Sequence, residues 1–430
     1  MESDLRSRST AHAGLFDVLR LGVRLGAGKL RGKRGDLAGA GTHWARSVID
    51  RDHAADLDVG IPGKTFEVVA DRDVSNGVLA TRPVGDGYEA GEMKTKAMSF
   101  LAPGALTIAN GDAWMRLRPF NEQVLGTGGP HQFSAAILDH VRAAFSGPVK
   151  RTEDVRAAMG RAMVSIVLGG ATGGSNPAAD VATLFNVVQS PAKRALFGFL
   201  YKGKRDRLYS LLASKWEAAL AEKTPQPNLL SLAAHSAPDV DRQTLLQQIP
   251  HWMFTFTGSG TDLLTRTLVL VSSRPDALVK AIDEVMSAGD LAKPDSVGRL
   301  KYLEACVLEA GRLFPPVTKT FHRRASEKRE IVHYFPLLQR DDRLGPTVHT
   351  FHPERWLMAH LDAPAAASNL FLRGPRACPG MDLILFVCKA AAARQLGELG
   401  LIARQELLTR DPLPVSFPKL EEPFSASGRH

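Results

Sequence analysis

Apolar residues along this chain recur mainly at helical spacing, and glycine and proline cut the pattern into segments. Helical patterning dominates residues 112–274, interrupted by Gly-Pro, Asn-Pro and Pro-Gln-Pro. Residues 243–273 predict a long apolar helix with Pro250 as its kink, because proline has no N–H for the carbonyl one turn earlier. Residues 300–314 predict another helix, stopped by Pro315-Pro316. A final helix is expected over about 379–399. Strand signal is sparse: residues 66–70 form a short run between turn residues. Residues 14–35 read as a basic, partly amphipathic helix entering a Gly/Lys/Arg-rich loop, an extension covering 1–35. A packed helix with a solvated basic face is the preferred reading there, and weak contact with a membrane surface the other. The Ala/Pro stretch 362–368 reads as a loop inside a domain covering 36–430. The fold class is therefore mainly α with small β-sheets.

Composition narrows this picture. Hydrophobic residues are 44% and charged residues 23% of the 430, which argues against wholesale disorder. Three cysteines cannot build a disulfide framework and suggest a reducing, cytoplasmic setting. The longest uncharged stretch, 163–179, contains Gly-Gly pairs and an Asn-Pro, so no membrane-spanning helix is expected. The first residues lack a secretion signal's basic-then-apolar pattern. The net charge is +9, yet no nucleic-acid motif or aromatic-basic interleaving accompanies it.

The most informative stretch is Phe371-Leu-Arg-Gly-Pro-Arg-Ala-Cys-Pro-Gly380. Cys378 stands directly before Pro379 and a strongly helical segment, so it is expected in the N-cap region. A helix N-terminus and the nearby Arg376 both favour thiolate over thiol. Gly374 and Gly380 let the backbone turn closely around a flat ligand. A thiolate without a second Cys or His at zinc spacing is poorly suited to structural zinc but suits one axial bond to haem iron. Cys306 and Cys388 fall inside helical segments and read as small buried hydrophobes.

With these residues in place, the chain resembles the cytochrome P-450 superfamily of haem-thiolate proteins. Its signature Phe-x-x-Gly-x-Arg-x-Cys-x-Gly is matched by Phe371, Gly374, Arg376, Cys378 and Gly380. Glu309-Ala-Gly-Arg312 matches the Glu-x-x-Arg helix, and Phe351-His-Pro-Glu-Arg-Trp356 the loop whose arginine, here Arg355, joins that pair. Trp114-Met-Arg-Leu-Arg118 matches the Trp-x-x-x-Arg helix, and Phe256-Thr-Gly-Ser-Gly-Thr261 imperfectly matches the oxygen-activation helix. The resemblance spans about residues 66–399. It implies a single triangular domain enclosing haem b, with Cys378 as iron ligand and Phe371 packed beside the sulfur. Haem carboxylates need cations or indole N–H donors. Arg118, Trp114 and Arg376 are the matched candidates, and Arg323 is weaker because Arg324 competes with it. Glu309, Arg312 and Arg355 are expected to form a buried structural network. Phe254, Phe256, Thr257 and Gly258 are expected to line an apolar substrate pocket.

Two departures stand out. Aligned on Gly258, the chain has Gly260 in place of the family's distal acid and keeps Thr261; a second register keeps Asp262 but loses the hydroxyl. Between Pro316 and Pro353, the family's small hairpin is shortened by several residues. The resemblance implies a monomeric monooxygenase of secondary metabolism, hydroxylating or epoxidising an apolar small molecule with O2. Electrons would come from an acidic ferredoxin or flavodoxin docking near Arg373, Arg376 and Lys389. The missing acid leaves open peroxide-driven oxidation, oxidative coupling, or isomerisation and dehydration. A non-catalytic haem carrier or gas sensor is the reading from another class.

Overall fold

The computed structural model describes residues 10–13, 37–51, 56–61, 64–170, 172, 174–188, 191–236, 239–341, 345–358, 369–403, 405–418, 420 and 423–426. The expected basic helix at 14–35 and the Ala/Pro loop at 362–368 lie outside these residues. Helices dominate. Those that matter below are α1 (Leu37–Arg51), α2 (Arg72–Leu79), α3 (Gly111–Leu125), α4 (Ser134–Ala144) and α5 (Thr152–Leu168). They continue with α6 (Lys202–Leu220), α7 (Gln248–Thr255), α8 (Thr261–Ser272), α9 (Pro275–Ser287), α10 (Lys301–Leu313) and α11 (Met381–Ala392). The chain divides into two compact units. The first comprises Met1–Lys94, Leu308–Cys378 and Leu407–Lys419, and the second comprises Thr95–Val307, Pro379–Glu406 and Leu420–His430.

The first unit is built on a mixed sheet of β1 (Thr10–Ala13), β2 (Asp56–Ile61), β3 (Lys64–Val69), β4 (Tyr88–Ala90), β5 (Lys319–Arg324) and β6 (Glu330–Tyr334). Their order is β1-β2-β3-β6-β5-β4. β1 pairs parallel with β2 although it lies within the span expected to be an extension. β3 is the strand expected over 66–70, and it pairs parallel with β6 in the register Val69↔His333. Strand alternation sends Val69 and Ile331 to one face, where they pack with Val74 and Val78 of α2 and with Phe335 and Leu338. Ala11, Ala13 and Leu57 pack instead with Ala45 and Val48 of α1. Asp71 fixes the start of α2 by accepting from the N–H groups of Asp73 (2.7 Å) and Val74 (3.1 Å). Residues 325–329 alone connect β5 to β6.

The second unit is helical, with a two-stranded pair of β7 (Leu401–Ala403) and β8 (Phe424–Ala426). α5 is buried along much of its length, through Val155, Met159, Met163, Ile166 and Val167. The predicted helix over 243–273 is present in pieces: Arg242–Leu246, α7, a wide π-helical turn at Phe256–Gly260, and α8. Pro250 lies inside α7, and the break falls at Gln247, beside the Leu246 carbonyl that proline cannot serve. Gln248 holds the neighbouring loop, accepting from Leu106 N–H (2.9 Å) and donating to the Gly104 carbonyl (2.7 Å). Trp252 of α7 donates to Asn121 of α3 at 2.8 Å. The last helix runs as expected, as α11 continued by a π-helical turn at Ala393–Glu398.

That final turn lies against α9 so closely that a Cβ on Gly397 would collide with the Val285 side chain. Gly397→Ala should therefore destabilise the protein by about 1–3 kcal/mol. In a Val285→Ala background, the same change should cost much less. Denaturant unfolding of the double-mutant cycle measures the coupling, and simple additivity would refute the contact.

Candidate functional site

In the first unit the cysteine loop is shaped by its own backbone. Leu372 has φ +58° and Gly374 has φ +56°; such angles are rare for a residue with a Cβ. A Cβ on Gly374 would also stand 3.2 Å from Ala80 Cα, so glycine is required for the close approach to the end of α2. Asn369 braces the loop, receiving Arg373 Nε at 2.9 Å and donating to Asn76 at 3.1 Å. Cys378 N–H closes the loop by donating to the Phe371 carbonyl at 2.7 Å. The N-cap of α11 is Gly380, so Cys378 lies two residues before the cap rather than at it, and Pro379 is not the first helical residue. Cys378 is half-buried, whereas Cys306 and Cys388 are fully buried. Burial pushes the Cys388 thiol up to about 12, which leaves it inert.

Arg376 donates from Nε to the Thr81 carbonyl (3.1 Å) and from its terminal amine to the Tyr88 carbonyl. Around it lies a buried group of bases that sequence reasoning missed. His322 and His333 meet edge to face with ring centroids 4.9 Å apart, and Ser75 Oγ is 2.8 Å from His333 Nδ1. Burial lowers every member, and neighbouring positive groups reinforce it for Lys94, His322 and His333. Lys94 falls to about 8, Arg376 to about 10 through burial alone, His333 to about 3, and His322 well below its ordinary value. His322 Nδ1 and His333 Nε2 are buried without a partner among the described residues. Strand alternation in β5 could have revealed His322: Thr320 and His322 turn inward while Arg323 turns to the other face. Arg323 accordingly sits 3.7 Å from Glu89, and Arg324 lies over the Tyr88 ring at 4.9 Å. His322, not Arg323, is the β5 residue in the cluster.

The expected structural network is present in the same unit. Glu309 and Arg312 are both 0% exposed and form two parallel contacts of 2.8 Å. Arg312 also donates to the carbonyls of Gln339 and Val348, each at 2.9 Å. Glu309 further receives Arg355 Nε (3.0 Å), Trp356 Nε1 (2.9 Å) and His352 N–H (3.1 Å). Burial alone would raise the Glu309 carboxyl, but Arg312, Arg355 and Trp356 outweigh it and hold it below the ordinary range.

In the second unit, Trp114 is buried on α3, and Arg118 pairs with Glu122 at 2.7 Å. Along the interrupted helix, Thr257 donates to the Met253 carbonyl (2.8 Å), Ser259 to Thr255 (2.9 Å) and Thr265 to Thr261 (2.8 Å). Thr261 is the exception in this stretch: it is 0% exposed and its Oγ1 has no partner among the described residues. Gly260 has a packing reason to be glycine, because a Cβ there would lie 2.8 Å from Ile384 Cδ1 and 3.4 Å from Met159 Cε. Asp262 is committed to Arg266 at 3.2 Å, one turn along α8. Phe256 and Thr257 are buried, whereas Phe254 and Gly258 are half-exposed. Lys389, expected on a docking face, is 4% exposed and bonds Glu304 at 2.6 Å inside this unit.

No family model matches the chain. It is 26% identical over 212 residues to cytochrome P450 76C1 of Arabidopsis thaliana, covering 43% of this chain and 41% of that protein. It is also 26% identical over 241 residues to berbamunine synthase of Berberis stolonifera, covering 51% and 48%. The chain thus matches less than half the length of these curated relatives. A retinoic acid-bound cyanobacterial CYP120A1 structure shares the fold, with a TM-score of 0.70 over 84% of this chain and 88% of that one, at 15% identity. The chain belongs to the cytochrome P-450 superfamily.

Membership in the cytochrome P-450 superfamily implies haem, whose carboxylates and iron make separate demands on the chain. The bases of the first unit fit the carboxylates: Lys94 and Arg376 are cationic, no histidine adds negative charge, and two ring nitrogens have no partner among the described residues. The half-buried Cys378 fits the iron, and among the described residues no group of His, Cys, Asp and Glu could hold a metal ion by itself.

Two outcomes follow. Glu309→Gln should cost about 3–5 kcal/mol in denaturant unfolding, because it strands a buried Arg312. The Glu309 carboxyl lies below its ordinary value of 4.5, so its contribution is complete above that pH and lost as pH falls through the folded-state value. Separately, His322→Leu should speed haem transfer to an acceptor apoprotein by about tenfold, as removal of a charged hydrogen bond would. Arg323→Leu should change it little, and the reverse ranking would exclude the cluster as the carboxylate cradle.

Proposed function

We propose that this chain is a haem-thiolate monooxygenase that oxidises an apolar small molecule with O2 and electrons from an acidic ferredoxin or flavodoxin. The observation that carries this reading is Cys378, half-buried in a loop held by Leu372, Gly374 and the Phe371 carbonyl, with Arg376 beside the buried bases. The cofactor is haem b, with Cys378 as the iron ligand and Phe371 next to the sulfur. Bound through a thiolate, haem supplies an iron that activates dioxygen and favours O–O cleavage. His322, Lys94 and Arg376 receive its carboxylates in the first unit, and Trp114 and Arg118 are the candidates in the second. Thr261 contributes an unpartnered hydroxyl that can donate to, or hold, a small oxygen ligand. Ile384 and Met159 crowd the space beside Gly260, where the family carries an acid. Phe254 and Gly258 offer an apolar, half-exposed face to substrate.

A second reading, peroxide-driven or otherwise atypical chemistry, draws on one observation. A Cβ at Gly260 would lie 2.8 Å from Ile384 Cδ1 and Asp262 is paired with Arg266, so neither position offers a free carboxylate to relay protons.

The reduced protein with carbon monoxide should show the red-shifted Soret band of thiolate-bound haem, and Cys378→Ala should abolish it. An imidazole-type band in the wild type would end the reading. Thr261→Ala should lower turnover with reductase and O2 by about a hundredfold, the scale of a lost proton-transfer group. Unchanged O2 turnover, with efficient peroxide turnover, would favour the second reading.

A further inference from the structure

The second unit holds a cavity of about 530 Å³ between one face of α3 and the chain entering the short helix Arg242–Leu246. That volume is ordinary for a small-molecule site. Arg116 and Leu117 line one side, and Asp239, Val240, Asp241 and Thr244 the other. Arg116 is two residues, about half a helical turn, from both Trp114 and Arg118, so it points away from the pair proposed to meet haem. The side chains of Arg116 and Asp239 make no hydrogen bond or ion pair among the described residues. Asp241 accepts from Thr244 N–H at 2.9 Å, and hydrogen bonding from Thr244 holds its carboxyl below the ordinary range. Arg242, which could have neutralised these acids, instead pairs with Glu217 of α6 and donates to the Ala213 carbonyl at 3.4 Å. The walls thus offer one guanidinium and two carboxylates, with Leu117 and Val240 as apolar surface between them.

Two of the lining residues belong to a buried network behind the cavity. The Thr244 carbonyl accepts from Gln248 Nε2 (2.9 Å), and the Leu117 carbonyl from Asn121 Nδ2 (2.8 Å). Asn121 Nδ2 also lies 3.4 Å from Gln248 Oε1, which accepts from Leu106 N–H at 2.9 Å. Gln247 accepts from Gly104 N–H. Gln248 and Asn121 are 0% and 1% exposed, so solvent cannot replace these bonds. A molecule that fixes Thr244 and Leu117 from the cavity side therefore steadies the frame that holds loop Gly104–Leu106. We infer that this cavity is an effector site for a small molecule of the basic amino acid type. Its carboxylate meets Arg116, its two cationic groups meet Asp239 and Asp241, and its methylenes cover Leu117 and Val240. None of these contacts involves a residue assigned to haem, so the site stands apart from the oxidation chemistry.

The test is calorimetric titration of the full chain with three probes: L-arginine, agmatine, which keeps both cationic groups but has no carboxylate, and propionate, a carboxylate alone. L-Arginine should bind, agmatine about tenfold more weakly, and propionate not at all, the scale of a lost charged hydrogen bond. Arg116→Ala should weaken L-arginine about tenfold and leave agmatine unchanged. Asp239→Asn and Asp241→Asn should weaken both, at an unchanged melting temperature because asparagine also caps a helix. With saturating L-arginine, the Gly104 and Leu106 amides should exchange with deuterium about fivefold more slowly. The site is overturned if L-arginine gives no heat of binding, if agmatine binds as tightly, or if the Arg116 and Asp239 variants bind like wild type. Propionate binding as tightly as L-arginine would overturn it in favour of a plain anion site. Unchanged exchange at Gly104 and Leu106 in the saturated protein would overturn the link to the loop.

Discussion

A single carboxylate, Glu309, organises more of this chain than any other side chain described. It is fully buried and receives donors from Arg312, Arg355, Trp356 and the backbone of His352. Arg312 in turn satisfies carbonyls at Gln339, Val348 and Thr350. Residues 339–341 and 345–352 contain no helix or strand, so these bonds do for an irregular segment what a ladder does for a strand. Burying a charge is costly unless every lone pair is served, and here both oxygens are. The network therefore specifies one path for the chain ahead of the cysteine loop, a role distinct from any part in chemistry.

The two units present opposite kinds of incompleteness. In the first, Lys94, Arg376, His322 and His333 gather, and burial lowers the pKa of each. In the second, Thr261 keeps an unserved hydroxyl in apolar surroundings while the hydroxyls around it bond back to their own helix. Native interiors rarely leave such groups unsatisfied. The first deficit is of the type carboxylates would fill, and the second of the type a small oxygen ligand would fill.

Much of this was legible in the sequence because it depends on short spacing. Glu309 and Arg312 share a helix face, Pro315-Pro316 ends α10, and Gly374 meets a positive φ, all of which follow from local rules. The parts that were not legible depend on which way a side chain turns. Arg323 and His322 are adjacent, and only the pairing of β5 with β6 decides that the histidine is buried. Lys389 looked like surface charge beside the cysteine, yet its helix turns it toward Glu304. Cys378 was displaced from the expected cap because Gly380 takes that position. The break at Gln247 followed from Pro250, but the wide turn at Phe256–Gly260 had no comparable local signal.

The contact at Gly260 also constrains how this protein can change. The atom that would meet a new Cβ there is Ile384 Cδ1, the far end of a flexible side chain, not backbone. The missing acid is therefore not barred by the path of the helix. It is opposed by the end of one side chain on α11. Valine at 384 lacks that terminal methyl, so positions 260 and 384 form a coupled pair in which the order of replacement matters. A carboxylate arriving first meets a clash, whereas one arriving after Ile384 has shortened finds space already made. The glycine is thus a local historical lock, and its key lies on another helix.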